Sequence, residues 1–118
     1  MAKLKSLMPS LKEKKRYVVF EIISNEPISD FKEVYQAIWQ KSNEFLGKLE
    51  TAKAGLWVLP DKWNEKKQRG ILKVSNKYID KIKAVFTMIT ETEKQKIIIR
   101  SVGVSGILNK AEQKFMIQ

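Results

Sequence analysis

The sequence predicts one α/β domain in which four strands form a single antiparallel sheet and two helices cover one face of it. Three observations predict this class. Strand and helix segments follow the order β-α-β-β-α-β, with a further short helix at the end. Apolar residues alternate along the strand segments and recur every three to four residues along the helix segments. The 118 residues are 43% hydrophobic, which suffices for one folded domain with its own core.

Four segments are rich in β-branched and aromatic residues, as is typical of strands. They are residues 16–24 (RYVVFEIIS), 56–60 (LWVLP), 69–74 (RGILKV) and 97–104 (IIIRSVGV). The second and third segments are joined by a charged loop, which favours a hairpin with a long connection.

The two main helices each place apolar side chains on one side. The first is predicted over residues 31–46, with Ser29 or Asp30 as its N-cap and Gly47 as its C-terminal stop. The second is predicted over residues 77–89. Both therefore pack one apolar face on the sheet.

This order of elements is that of the ferredoxin-like, or RRM-like, arrangement. We interpret the whole chain, residues 1–118, as a single domain. It divides into a basic N-terminal arm (1–15), a βαββαβ core (16–105) and a C-terminal helix (106–118).

Strand alternation assigns side chains to the two faces of the sheet. The face toward the helices is predicted to carry Val18, Phe20, Ile22, Leu72, Val74, Ile97 and Ile99. The other face is predicted to carry Tyr17, Val19, Glu21, Ile23, Arg69, Ile71, Lys73, Ile98, Arg100 and Val102. Because this second face is too apolar to lie bare in water, we expect the C-terminal helix or the arm, together with a protein partner, to cover it.

The net charge of +10 is unevenly distributed. Residues 1–16 carry a net charge of +5 and residues 62–83 a net charge of +6, while the rest is nearly neutral. Two basic blocks on a neutral body favour a surface that binds a polyanion such as nucleic acid. The alternative is a lysine-rich solvated surface without a ligand.

Side chains suited to catalysis are scarce. The chain has no histidine and no cysteine, and no glycine-rich phosphate loop occurs. Glu21 stands out on an apolar strand, and we expect it to pair with Arg100 or Lys73, with a metal-linked role as the alternative. No segment is apolar enough to span a membrane or resembles a secretory signal, so we expect a cytoplasmic protein.

RRM domains stack RNA bases on aromatic residues of the sheet. Here Arg69-Gly70 is followed by Ile71, Leu72 and Lys73, without an aromatic residue. Contact with phosphates and with the shape of the RNA is therefore the expected mode of recognition.

Three ordered segments carry a family resemblance: residues 12–22 (KEKKRYVVFEI), 69–81 (RGILKVSNKYIDK) and 100–107 (RSVGVSGI), the last followed by AE at 111–112 and KF at 114–115. Together they resemble the archaeal and eukaryotic ribonuclease P protein component 2 family over nearly the whole chain. The segment 47–67 matches less clearly, and nothing is inferred for it.

The resemblance implies an RRM-like subunit of ribonuclease P, the endoribonuclease that removes the 5′ leader of precursor tRNA. It implies that the RNA subunit catalyses the cleavage with magnesium, and that the protein itself holds no cofactor. The implied partners are the ribonuclease P RNA, protein component 3 in a heterodimer or heterotetramer, other protein subunits, and precursor tRNA indirectly. The alternative is a protein-interaction or assembly module whose basic charge is incidental.

Candidate site residues follow from charge and position. No catalytic residue and no metal ligand are predicted. The candidates for RNA binding are Lys12, Lys14, Lys15, Arg16, Arg69, Lys73, Lys77, Lys81, Arg100, Lys110 and Lys114. The candidates for partner contact are Val19, Ile23, Ile71 and Ile98, with burial inside the chain as the alternative.

Overall fold

The computed structural model describes residues 14–116. Its strands are β1 (Lys15–Ser24), β2 (Trp57–Val58), β3 (Arg69–Ser75) and β4 (Ile97–Ser105). The long helix α1 (Phe31–Ala54) follows β1, and α2 (Ile79–Met88) follows β3. Short 3₁₀ turns, Pro60–Lys62 and Asn76–Tyr78, follow β2 and precede α2. The C-terminal helix consists of α3 (Leu108–Ala111) and a π-helical turn (Glu112–Met116).

The four strands form one antiparallel sheet in the order β2-β3-β1-β4, which confirms the predicted ferredoxin-like arrangement. Strand β1 lies in the centre, where Lys15 pairs with Ser75 of β3 and Ser24 with Ile97 of β4. A bulge in β4 opposite Val19 and Phe20 leaves Val102 as the extra residue.

The main core lies between the sheet and α1 and α2. It contains every side chain that alternation assigned to the inner face: Val18, Phe20, Ile22, Leu72, Val74, Ile97 and Ile99. Phe20 is completely buried, and its ring centroid lies 5.8 Å from that of Phe86 and 6.4 Å from that of Trp63. The period of two in the strands therefore predicted this core correctly.

The first helix does not end at Gly47 as predicted. Gly47 adopts φ 80° and ψ 161°, which kinks the helix, but the helix resumes and ends at Gly55 in the left-handed conformation, φ 63°. The Thr51 hydroxyl donates to the carbonyl oxygens of Gly47 (2.8 Å) and Ser42 (3.2 Å). These bonds join the two halves, so the kink changes the direction of α1 without ending it. At its start, the Asp30 side chain accepts a hydrogen bond from the backbone N–H of Lys32, as expected of an N-cap.

The C-terminal helix covers the middle of the outer face, by which we mean the sheet face away from α1 and α2. Val19 and Ile71 pack there with Ala111 and Met116, and we call these four residues the outer cluster. The Phe115 ring lies directly on Gly103, where any Cβ would overlap it. The chain itself thus covers the middle of the outer face.

Candidate nucleic-acid interface

Five cationic residues meet at one end of the β1–β3 pair. Lys14, Lys15 and Arg16 lie at the start of β1, while Lys73 and Lys77 lie at the end of β3 and just beyond it. We call these five residues the basic end. Antiparallel pairing brings the two groups together, since Lys15 pairs with Ser75 and the Asn76 N–H donates to the Lys14 carbonyl oxygen (2.9 Å). Charges some sixty residues apart in sequence thus form one group.

The side chains of the basic end point in several directions. Lys73 is the neighbour of Tyr17 on the outer face, and Lys15 extends along the same face until its Nζ lies beside Gly55. The Arg16 guanidinium lies against Gly106, just beyond the end of β4. Lys14 and Lys77 are exposed, and the other three are half-buried. An extended polyanion, and not a small anion, would therefore contact several of these cations at once.

Lys81 lies in the first turn of α2 and is exposed. Its Nζ lies 5.1 Å from the centre of the Tyr78 ring, and the Tyr78 hydroxyl donates to Glu50 (2.5 Å). This hydrogen bond, with the charges of Lys53 and Lys81, holds the pKa of Glu50 below its usual value despite some desolvation. Lys81 continues the basic end along α2, but the nearby Glu50 carboxylate offsets part of its charge.

Arg69 and Arg100 do not belong to the basic end. They flank Glu21, six residues along β1 from Lys15, which at about 3.3 Å per residue places them roughly 20 Å away. Arg69 Nε donates to Glu21 (3.0 Å) and Arg69 Nη1 to the Phe115 carbonyl oxygen (2.7 Å). Only 19% of the Arg69 side chain is exposed. Arg69 ties the C-terminal helix to the sheet, while its contact with RNA stays a prediction.

Glu21 bridges the two arginines. Arg100 Nη2 lies 2.7 Å from Glu21 Oε1, so the predicted pairing with Arg100 is confirmed. The partner of Glu21 Oε2 is Arg69, and not Lys73, which was the predicted alternative. Burial raises the pKa of Glu21, but the hydrogen bonds and charges of the two arginines outweigh it and lower the pKa below its usual value. The carboxylate is therefore held ionised between two cations.

Replacing Glu21 with glutamine should make the free energy of unfolding depend less on pH in the acidic range. Because the folded-state pKa is lowered, the contribution of Glu21 is fully present above its unfolded value, near 4.5, and is lost as the pH falls through the folded value. We expect Glu21→Gln to lower the free energy of unfolding by about 1–3 kcal/mol at pH 7. Urea unfolding from pH 7 to pH 3 should show the difference shrinking below about pH 4.5.

The control for this series is Glu44→Gln, which removes an exposed i,i+3 ion pair with Lys41. Such pairs contribute about 0–1 kcal/mol. A difference between wild type and Glu21→Gln that stays constant across the pH range would contradict the assigned role of Glu21.

Two further cationic candidates lie on the C-terminal helix. Lys110 and Lys114 are exposed, and Lys114 Nζ lies 5.9 Å from the centre of the Phe115 ring. Lys62 forms an ion pair with Glu112, whose hydrogen bond and charge raise the pKa of Lys62 above its usual value. That pair fixes the helix to the turn after β2. Lys12 lies outside the described residues.

The predicted partner-contact residues separate into two pairs. Val19 and Ile71 are 0% exposed because they are covered by the outer cluster, so the prediction of partner contact is wrong for them and the self-burial alternative holds. Ile23 and Ile98 face each other across β1 and β4 and stay exposed, at 48% and 61%. The C-terminal helix does not reach this end of the sheet, so the exposed isoleucine pair remains available to a partner.

One exposed aromatic residue was missed by the sequence reasoning. Trp57 pairs with Lys73, so it lies on the outer face beside the basic end, with 63% of its surface exposed. In a strand of two residues, alternation alone does not tell which side chain faces out. The apolar residue Val58 next to it is buried, and assigning Val58 to the core would have placed Trp57 on the outer face.

Between residues 14 and 116, no group of three or more carboxylates lies close enough to hold a metal ion. In the same range, no helix is long and apolar enough to cross a bilayer. What the described surface does provide is a group of fixed cations beside an exposed indole ring.

Comparison with known proteins identifies the family. The model of the Rpp14/Pop5 family matches residues 16–116. Ribonuclease P protein component 2 of Thermococcus gammatolerans is 39% identical over 114 residues, which cover 97% of this chain and 92% of that protein. The protein of the same name from Methanocaldococcus jannaschii is 34% identical, over 96% of this chain and 81% of its own length.

A solved structure supports the fold independently. A chain in the cryo-EM structure of yeast ribonuclease MRP superimposes with a TM-score of 0.58 at 10% identity, over 80% of this chain and 75% of that one. The family match spans the described sheet, both main helices and the C-terminal helix. The chain belongs to the Rpp14/Pop5 family.

Proposed function

We propose that this chain is a protein subunit of ribonuclease P and assists the catalytic RNA in removing the 5′ leader of precursor tRNA. Support comes from its relatives, which are named as ribonuclease P protein component 2 and match almost the whole chain. The structural observation that carries the proposal is the basic end. It joins five cationic side chains on a chain that has neither histidine nor cysteine.

The basic end contacts the phosphate backbone of the ribonuclease P RNA. Each lysine or arginine that neutralises a phosphate releases a condensed counterion, which favours binding at moderate salt. The proposed RNA contacts in and next to the basic end are Lys14, Lys15, Arg16, Lys73, Lys77 and Lys81. Further proposed contacts are Lys110, Lys114 and Arg100, which lie outside the basic end, and Lys12, which lies outside the described residues. Such contacts position an RNA but do not break a bond.

In this proposal magnesium is required by the RNA subunit, for its folding and for the cleavage that it catalyses. Folded RNA brings phosphates close together, and bound cations reduce their repulsion. Fixed lysines supply part of that positive charge, so less magnesium is needed for the RNA to fold and act. The chain contributes electrostatics and shape to the complex, and the RNA contributes the cleavage.

Protein component 3 is the proposed protein partner, in a heterodimer or heterotetramer. Among the described residues, two exposed apolar surfaces are our candidates for a protein contact. One is the exposed isoleucine pair, and the other lies on the helix layer, where Phe45 and Met88, 51% and 44% exposed, line one groove. Exposed apolar side chains grouped in this way are typical of protein interaction sites.

Reconstitution tests the proposed function. The cognate RNA and component 3 are assembled with and without this chain, and precursor tRNA cleavage is measured over a magnesium series. We expect the chain to lower the magnesium concentration that gives half-maximal cleavage, and to cleave nothing without the RNA. Cleavage by the protein alone, or an unchanged magnesium requirement, would refute the proposal. Salt-insensitive RNA binding would favour the assembly-module alternative.

A further inference from the structure

The outer face is not covered evenly by the C-terminal helix. The helix packs on the row of Val19 and Ile71 and is held at its end by Arg69. The next row toward the basic end consists of Trp57, Lys73 and Tyr17, which pair in that order across β2, β3 and β1. Trp57 at the sheet edge is the most exposed of the three. An aromatic residue therefore lies uncovered on the outer face beside the part that the C-terminal helix covers.

Trp57 has cations on its β3 side and, toward α1, a mostly apolar cavity that it lines together with Phe31, Tyr35 and Trp39. Lys73 is its direct neighbour on β3, about 4.8 Å away across the sheet. Lys15 reaches past Ser75 to Gly55, two residues before Trp57, where the absence of a side chain leaves space for its ammonium group. Two ammonium groups thus flank the strand that carries the indole. Among residues 14–116, no second aromatic ring stacks on Trp57.

We propose that Trp57 is a stacking position for one unpaired nucleotide of an RNA strand whose flanking phosphates lie on Lys15 and Lys73. This inference rests on the proposed function and adds a single-stranded segment to the RNA that the chain recognises. An indole face stacks on any base, while the two lysines attract the phosphates on either side. Phosphate contact remains the main recognition mode, and Trp57 adds selectivity for unpaired over paired RNA.

Charge complementarity favours RNA over a protein as the occupant. An apolar protein surface would have to desolvate Lys15 and Lys73 beside the indole without neutralising them, which is unfavourable. A duplex would offer its phosphates but keep its bases stacked and out of reach of the ring. A single strand satisfies both the ring and the two ammonium groups.

The test compares two labelled oligomers by fluorescence anisotropy. One is a short oligouridylate, and the other has the same backbone with an abasic ribose at every position. We expect Trp57→Ala in the full chain to weaken binding of the oligouridylate about 5- to 150-fold and to leave binding of the abasic oligomer unchanged. Trp57→Phe should retain most of the affinity because it keeps a ring.

The matched control is Ile98→Ala, an exposed apolar residue that pairs with Ile23 at the opposite end of β1 from Lys15. It should bind both oligomers as wild type does. Equal binding of the oligouridylate by wild type and Trp57→Ala would overturn the inference, as would an equal loss on both oligomers. So would loss of component 3 binding by Trp57→Ala without a change in RNA binding, since it would assign Trp57 to a protein contact.

These outcomes are separate from those of the reconstitution. If Trp57→Ala binds oligouridylate normally while the chain still lowers the magnesium requirement, the stacking inference fails and the proposed function stands. If the chain does not affect cleavage yet shows the base-dependent loss, the proposed function fails and the stacking site stands as a property of the surface.

Discussion

Replacing Lys15, Lys73 and Lys77 together with glutamine is expected to weaken binding of the ribonuclease P RNA about 100-fold near 0.15 M salt. Each lost phosphate contact reduces the steepness of log affinity against log salt concentration by roughly 0.7–0.9. Three lost contacts therefore reduce it by roughly 2–3, which corresponds to about a 100-fold loss of affinity near 0.15 M salt. The structure places these residues in one group where β1 begins and β3 ends. Filter binding over a salt series measures both the affinity and the slope.

The chain offers a control with the same change in net charge. Lys66, Lys94 and Lys96 are exposed and lie near the opposite end of β1, just before the starts of β3 and β4. Their triple replacement with glutamine should lower affinity much less, through the general charge of the protein alone. Equal losses in the two triple variants would show that net charge, and not the basic end, determines binding.

Phe20→Ala is expected to lower the free energy of unfolding by about 3–5 kcal/mol. Phe20 lies on the central strand with no exposed surface and contacts the rings of Phe86 and Trp63. Removing the ring leaves a cavity at the junction of the sheet and α2. Since small domains are stable by only about 5–15 kcal/mol, this single change removes a large part of the total. Urea unfolding followed by circular dichroism measures it.

Ile98→Ala serves as the control because it removes an aliphatic side chain from a strand where 61% of the residue is exposed. A cost within about 0.5 kcal/mol is expected at such a surface position. Should Phe20→Ala cost no more than Ile98→Ala, the assignment of Phe20 to the core would be wrong.

The alternation of apolar residues along the chain predicted the strands and the core residues that they contribute. Alternation along β1 placed Val18 and Phe20 in the core because each strand buries one face against the helices. The prediction failed at Gly47, where glycine usually ends a helix. There the hydroxyl of Thr51, four residues later, bonds across the kink, and buried Ala54 anchors the continuation.

The site was predicted in part. Grouping of Lys15 with Lys73 follows from pairing β1 with β3, which the order of elements implies. The role of Arg69 does not follow from the sequence, because it depends on where Phe115 packs, 46 residues later. The position of Trp57 depends on the register of a two-residue strand against Lys73. The role of Arg69 and the position of Trp57 both depend on packing between distant segments, which the pattern of charge or hydropathy along the chain does not show.

Lysine footprinting tests most directly whether the basic end lies on RNA. The chain is treated with an amine-acetylating reagent, free and bound to the ribonuclease P RNA, and each lysine is quantified by mass spectrometry. We expect Lys15, Lys73 and Lys77 to be protected by the RNA, while Lys66, Lys94 and Lys96 react equally in both states. Protection of the second set without the first, or no protection at all, would contradict the proposed interface.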